Sequence, residues 1–266
     1  MNRPDPFEGQ LWLVTGATSG IGAAIAERLA RNGARLALAG RNQEAVEARA
    51  AELSLRSGAV ARGFAVDLGR PGQARELATR VRSALGDPSG LVNAAGCSSF
   101  GPFLETPQDA IHGQVNVNLR SVMDLTHALV PDMRQRSFGH LLQVASVAGF
   151  QAVPQQSVYA ATKAWLVSHG RALRHELRDS GVHCTTLCPG LTRTAFFEDA
   201  SPAFLGKRVF RLGRWMEAHE VADHGLMAVL ADRAIAIPGW SNRVAAGIQS
   251  LLPRAFVNQA TAWVMR

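Results

Sequence analysis

Thr15-Gly16-Ala17-Thr18-Ser19-Gly20-Ile21-Gly22 follows the apolar run Leu11 to Val14 and opens a stretch in which Ile21, Ile25 and Leu29 recur at i, i+4 and i+8. An apolar strand that turns through glycines into an amphipathic helix reads as the first half of a βαβ unit. Glycine allows positive φ and close backbone approach, so amides at the helix N-terminus can face a pyrophosphate. The spacing is Gly-x-x-x-Gly-x-Gly, which differs from the commoner Gly-x-Gly-x-x-Gly. Taken alone, it also fits a plain strand-to-helix turn.

Outward from this turn, short apolar runs alternate with helical stretches. Strands are predicted at Leu11 to Val14, Arg35 to Ala39, Val60 to Val66, Leu91 to Ala94, His140 to Ala145 and Val182 to Cys188. Strands separated by helices demand parallel pairing with right-handed crossovers. The expected fold is therefore α/β, a Rossmann-type doubly wound parallel sheet in a single domain spanning 1–266, with its core at 8–195. Ligands bind such sheets outside the carboxyl ends of the strands. The distinctive residues fall there: the glycine turn after the first strand, Asp67-Leu68 after the third, Asn93-Ala94-Ala95-Gly96 at the fourth, Ser146 at the fifth, and Pro189-Gly190 with Thr192 at the sixth.

The second strand bears on which dinucleotide fits. A carboxylate about 20 residues after the glycines holds the ribose hydroxyl of NAD, whereas an arginine accommodates the 2′-phosphate of NADP. Here the strand runs into Gly40-Arg41-Asn42, with a guanidinium and no carboxylate. NADP(H) is the expected cofactor, although Ser19 adds no second positive charge.

Tyr159 and Lys163 are four residues apart, and Ser146 lies thirteen before the tyrosine. On a helix beginning after Pro154, the phenol and the ammonium share one face, about 5 to 6 Å apart at Cβ. A free phenol has a pKa of about 10, and a fixed positive charge beside it favours the phenolate. Hydride transfer to a carbonyl builds negative charge on oxygen, and a serine hydroxyl and a phenol aimed at that oxygen would stabilise it.

In these residues, from Thr15 to Gly22 and on through Asp67, Asn93 to Gly96, Asn118, Ser146, Tyr159, Lys163 and Pro189-Gly190, the chain resembles the short-chain dehydrogenase/reductase family over roughly residues 8 to 195. The resemblance implies Tyr159 as general acid or base and Ser146 as the group that orients the carbonyl. It also implies that Lys163 binds the nicotinamide ribose and lowers the phenol's pKa, and that Asn118 holds a water in a proton relay. Asp67 would touch the adenine edge, and Asn93 would position the strand ends beside the cofactor. Asn116 reads as a helix-side hydrogen bonder. The expected cofactor set is Thr15, Gly16, Thr18, Ser19, Gly20, Ile21, Gly22, Arg41, Asn42, Asp67, Leu68, Asn93, Ala94, Ala95, Gly96, Tyr159, Lys163, Pro189, Gly190 and Thr192, with no metal.

Composition narrows the alternatives. Apolar residues make up 47% and charged ones 18% of 266 residues, which suits a globular domain. The net charge of +7 is almost all arginine, with no basic run interleaved with aromatics, so nucleic acid is not an expected partner. Residues 1–8 lack the apolar core of a secretory signal, and no run reaches the ~18 apolar residues of a membrane span. A cytoplasmic location is expected, with a peripheral membrane position as an alternative. Three cysteines build no disulfide framework, and the eight histidines show no metal-ligand spacing with partner carboxylates.

Beyond Thr194 the resemblance thins. Residues 196–217 occupy the place of a substrate lid. There Leu205, Val209, Leu212 and Met216 form an apolar stripe, with Lys207, Arg208, Arg211 and Arg214 on the other side, which predicts one basic amphipathic helix from Pro202 to Glu217. Such a helix caps the site with solvated arginines, or meets a membrane, an acidic carrier protein or an anionic acyl substrate. The family's usual closing strand and Val-Asp-Gly-Gly ending give way to Ala234-Ile235-Ala236-Ile237-Pro238-Gly239-Trp240. A helical extension over 241–266 follows, split by Pro253, with Ile248, Leu251, Leu252, Phe256, Ala260 and Trp263 as its apolar residues. A homo-oligomer is expected, a dimer sooner than a tetramer. The functional expectation is an oxidoreductase acting on an apolar ketone, aldehyde or alcohol. The alternative is a catalytically silent dinucleotide-binding sensor.

Overall fold

Strands whose residues are buried on both faces can only sit inside a sheet covered on two sides, and the burial of Leu11–Thr15 and Gly139–Val144 throughout is of that kind. The computed structural model describes residues 5–265. Residues 1–4 and 266, which carry part of the expected N-terminal reading and the end of the expected extension, lie outside the described residues. The strands are β1 (Leu11–Thr15), β2 (Arg35–Gly40), β3 (Ala61–Ala65), β4 (Gly90–Asn93), β5 (Gly139–Val144), β6 (Val182–Leu187), β7 (Thr192–Arg193), β8 (Met216–Glu217) and β9 (Ile235–Ala236). Seven of them form one parallel sheet in the order β3-β2-β1-β4-β5-β6-β9, while β7 and β8 pair separately.

The helices are α1 (Gly20–Arg31), α2 (Gln43–Ser57), α3 (Gln73–Leu85), α4 (Gln108–Val115), α5 (Ser121–Gln135), α6 (Ser157–Glu176), α7 (Pro202–Leu205), α8 (Arg208–Leu212), α9 (Ala218–Leu230), α10 (Trp240–Leu251) and α11 (Arg254–Val264). One core packs Ile25 and Leu29 of α1 with Val221 and Leu226 of α9. The other packs Leu77 of α3 with Leu125 of α5. This is a single-domain Rossmann-like sheet, and its predicted strands hold to within about a residue at each end. Strand order reverses between β1 and β4, which opens a crevice at their carboxyl ends. At the opposite end, a Cβ on Gly90 would stand 2.1 Å from the Trp12 ring, so the indole needs glycine beside it.

Two readings are corrected. The expected helix from Pro202 to Glu217 is instead two short helices and a strand, α7, α8 and β8. Gly206 ends α7, Lys207 is extended with φ −65° and ψ 152°, and Gly213 ends α8. The break turns Phe204 and Phe210 into one apolar cluster, which residues six apart on a continuous helix would not reach. Leu212, assigned to the stripe, is exposed, while Met216 is buried in β8.

The second correction concerns the end of the sheet. Ile235 and Ala236 do supply a seventh strand, pairing with Thr186 and Leu187 of β6. Two helices follow on either side of Pro253 as expected, but the buried residues of α11 are Val257 and Thr261, with Met265 just beyond it. Phe256, Ala260 and Trp263 face outward.

Candidate active site

Each segment of the crevice is held by contacts between strand ends. The Thr15 hydroxyl donates to Val92 O at 3.2 Å and accepts from the amides of Ala94 and Ala95, both at 3.1 Å. Its side chain is therefore committed to shaping the junction of β1 and β4. Gly16 and Gly20 adopt φ of +65° and +55°. A Cβ on Gly22 would lie 2.3 Å from Gly16 O, so the turn closes only with glycine there. Ser19 precedes the first turn of α1, which carries no acidic residue, so the exposed amides meet no competing carboxylate. Ile21 is partly buried against the first core, and Gly20 lies opposite Thr194 of the lid base.

Around this turn the other expected cofactor residues take varied roles. Arg41 is exposed at the end of β2, and its charge reaches the Cys97 thiol across the crevice. Asn42 caps α2, accepting from Ala45 N at 2.9 Å. Asp67 accepts from Gly69 N at 3.0 Å and pairs with Arg70 at 3.3 Å, while Leu68 is buried in the second core. Thr18 packs against Gly40. Asn93 is buried and donates to Thr126 Oγ1 at 3.4 Å. Gly190 approaches Asn242, and the Thr192 hydroxyl donates to Gly190 O at 3.1 Å.

Asn118 occupies the π-helical turn Asn116–Arg120, a distortion often found at functional sites. It is fully buried. Its Oδ1 accepts from Cys97 N at 2.9 Å, and its Nδ2 donates to Cys97 O at 2.9 Å and to Thr162 Oγ1 at 3.1 Å. Thr162 in turn donates to Tyr159 O at 2.8 Å. The amide thus ties the end of β4 to α6, and its side-chain donors are committed to protein partners. Asn116 donates to Gly69 O at 3.0 Å, as a helix-side hydrogen bonder.

Ser146, Tyr159 and Lys163 come together where β5 ends. Ser146 begins a short 3-10 turn in extended backbone, accepts from Ala148 N at 3.1 Å and donates to Pro189 O at 3.5 Å, with its hydroxyl on the side of the Tyr159 phenol. Lys163 is buried, donates to Val144 O at 2.8 Å, and lies 5.5 Å from the centroid of the Tyr159 ring. Burial pushes the phenol up to about 12, against the opposing effect of Ser146. Burial also pulls the lysine down to about 8. The phenol thus stands above its ordinary value, opposite to the expected depression, because its desolvation outweighs the lowering effect of Ser146.

The sequence did not disclose what covers these groups. Phe196 lies 5.3 Å from Tyr159 between ring centroids. Behind it, Phe100 meets Phe196, Phe197 and Phe204 at 5.0–5.9 Å, and Phe197 meets Phe210 and Trp215. The available signal was the density of aromatics, five between positions 196 and 215. The stripe reading passed over it. Cys97 was also missed. Its thiol is raised by burial and lowered in part by the charges of Arg41 and Lys163.

A family model described as short chain dehydrogenase matches residues 10–203. Dehydrogenase/reductase SDR family member 4 of Bos taurus is 32% identical over 258 residues, spanning 95% of this chain and 91% of its own. A short-chain dehydrogenase from Sphingobium yanoikuyae in complex with NADPH is similar with a TM-score of 0.79 at 30% identity, covering 92% of this chain and 97% of that one. A short chain dehydrogenase/reductase from Burkholderia phymatum in complex with NAD gives a TM-score of 0.80 at 27% identity, with 91% and 92% covered.

Proposed function

The chain belongs to the short-chain dehydrogenase family of oxidoreductases, and from that membership we propose an NADP(H)-dependent enzyme that interconverts an apolar ketone or aldehyde and its alcohol, with Tyr159 as general acid and base. The glycine turn fits a dinucleotide: two left-handed glycines, a third with no room for a side chain, and a helix start free of acidic residues. Gly16 to Gly22 would hold the pyrophosphate, Arg41 the 2′-phosphate, Asp67 the adenine edge and Lys163 the nicotinamide ribose. The NADPH and NAD complexes of the two similar structures support a nicotinamide dinucleotide. The preference for NADP rests on Arg41 and on the absence of a carboxylate at the end of β2.

When bound, a reduced nicotinamide supplies the hydride. The chain's own work lies at the carbonyl oxygen, where the Tyr159 phenol gives its proton and the Ser146 hydroxyl, beside that phenol, holds the oxygen in line. A phenol raised to about 12 is protonated at neutral pH, the state needed to give a proton to the carbonyl oxygen. Lys163 holds its place through Val144 O. The wall of Phe196, Phe197 and Phe204 excludes water and matches an apolar substrate.

The observation that carries this reading is a buried Tyr159 with Lys163 5.5 Å from its ring centroid, set under that aromatic wall. Its test is consumption of NADPH by the purified chain over a panel of apolar ketones and aldehydes. Turnover of at least one apolar carbonyl is expected. Tight binding of NADPH with no turnover across the panel would favour a silent sensor.

A further inference from the structure

The inner side of α10 packs beside the turn after Ser146, while α10 and α11, joined at Pro253, each present apolar side chains to the outside. On α10, Trp240, Val244, Ile248 and Leu251 stand at i, i+4, i+8 and i+11 and share one side of the helix. All four are exposed, Trp240 by 63% and Leu251 by 85%. On α11, Phe256 and Trp263 are exposed by 65% and 53%.

The orientation of the two helices is fixed by their inner sides, which both reach Gln151. Gln249 Nε2 and Thr261 Oγ1 both donate to Gln151 Oε1, at 2.7 and 3.0 Å. Lys207 Nζ donates to Met265 O at 2.8 Å, and Arg208 donates to Trp263 O at 3.1 Å. Val257, Thr261 and Met265 are buried beneath. With these polar ties and Val257, Thr261 and Met265 turned in, Trp240, Val244, Ile248, Leu251, Phe256 and Trp263 are held outward.

Charge indicates what covers them. From Trp240 onward the sequence has three arginines and no aspartate or glutamate. Arg243 is exposed on α10, the Arg208 guanidinium lies 4.4 Å over the Trp263 ring, and Arg211 and Arg214 are exposed on the adjoining lid segment. A second copy meeting this face about a two-fold axis would set like charges together, with no carboxylate side chain in the segment to pair them. An anionic bilayer offers acyl chains to the stripe, headgroups to the arginines and an interface suited to tryptophan. No helix among the described residues is long and apolar enough to cross a membrane. At about 1.5 Å per residue, helices of 12 and 11 residues fall well short of the ~30 Å hydrocarbon core, so they can lie on a bilayer but not cross it.

We propose that α10 and α11 seat the protein on an anionic lipid bilayer, with their apolar side in the acyl boundary and Arg208, Arg211 and Arg243 at the headgroups. This stands independently of the catalytic reading. The test is sedimentation of the whole chain with vesicles of equal parts phosphatidylglycerol and phosphatidylcholine, compared with phosphatidylcholine alone. Binding to the anionic vesicles is expected to exceed binding to the neutral ones by about tenfold or more and to weaken in high salt. The pairs Phe256→Ser with Trp263→Ser, Val244→Ser with Leu251→Ser, and Arg211→Glu with Arg243→Glu are each expected to lower it by about tenfold or more, with the thermal melting curve unchanged. The second pair guards against loss of the α11 contacts, because it alters only exposed side chains of α10. No binding to either vesicle, or binding that survives all three pairs, overturns the proposal. So does a dimer in sedimentation velocity that Phe256→Ser with Trp263→Ser dissociates while vesicles take up no protein, which would make a second copy the occupant.

Discussion

The ring of Phe196 lies 5.3 Å from that of Tyr159 at an interplanar angle of 49°, so the phenol meets an aromatic wall at the base of the lid. Such a wall adds apolar contact for a substrate and keeps water from the proton that Tyr159 gives. Phe196→Ala is expected to lower kcat/KM for an aryl ketone about tenfold, equivalent to about 1.4 kcal/mol of lost apolar contact. A small aliphatic aldehyde should change by about twofold at most. Equal losses for both substrates, measured side by side, would remove Phe196 from the substrate wall.

Arg41 is assigned to the 2′-phosphate. Arg41→Ala is expected to weaken NADPH binding by roughly ten- to a hundredfold, as for a lost charge-assisted hydrogen bond, while NADH binding changes by about twofold or less. Fluorescence titration of both dinucleotides at one salt concentration distinguishes this from a general electrostatic effect, in which both affinities fall together.

Lys163 carries a pH signature in stability. Its folded pKa, about 8, lies below the ordinary 10.5, so between these values the unfolded chain binds more protons and stability rises with pH. Below about 8 the lysine is charged in both states and the full burial penalty is present. Lys163→Met removes that penalty. The variant is expected to be more stable at pH 7 relative to wild type than at pH 10, by up to about 3 kcal/mol across the window. Tyr159 acts in the opposite sense, because its raised pKa makes stability fall only above about 10. Urea melts at pH 7 and pH 10 check the difference, and an offset that does not vary with pH would show that the ammonium is not desolvated as described.

Asn118 is predicted to be structural through its side chain. Removing it as Asn118→Ala leaves the Cys97 amide and carbonyl and the Thr162 hydroxyl without that partner. The expected loss is about 2 kcal/mol or more in urea denaturation. A variant that is inactive yet unchanged in stability would instead place the amide in the reaction.

How much of this was legible in the sequence follows from how local each signal is. The turn from Thr15 to Gly22, the strands and the register of Tyr159 with Lys163 are set by near neighbours, so period and spacing reveal them. The lid was misread because Leu205, Val209, Leu212 and Met216 keep a helical period, whereas the segment obeys the burial of Phe204 and Phe210 and breaks at Gly206 and Gly213. The contact of Phe100 with Phe196 joins residues almost a hundred positions apart and leaves no periodic trace. The direction of the tyrosine's pKa depends on how dry its surroundings are, which is a tertiary property. In α11 the helix was legible but its buried side was not. Hydrogen bonds from Thr261 to Gln151 turn Phe256 and Trp263 outward against the usual pattern.

The central claim is that Tyr159 gives the proton in hydride transfer. Its most direct test is the turnover of Tyr159→Phe with NADPH and the best apolar carbonyl found, alongside the variant's affinity for NADPH. Turnover is expected to fall by about a hundredfold or more, as general acid catalysis contributes roughly 10² to 10⁴, with cofactor affinity within a few fold of wild type. A variant that keeps more than about a tenth of the wild-type rate would contradict the account, because a phenylalanine at that position has no proton to give.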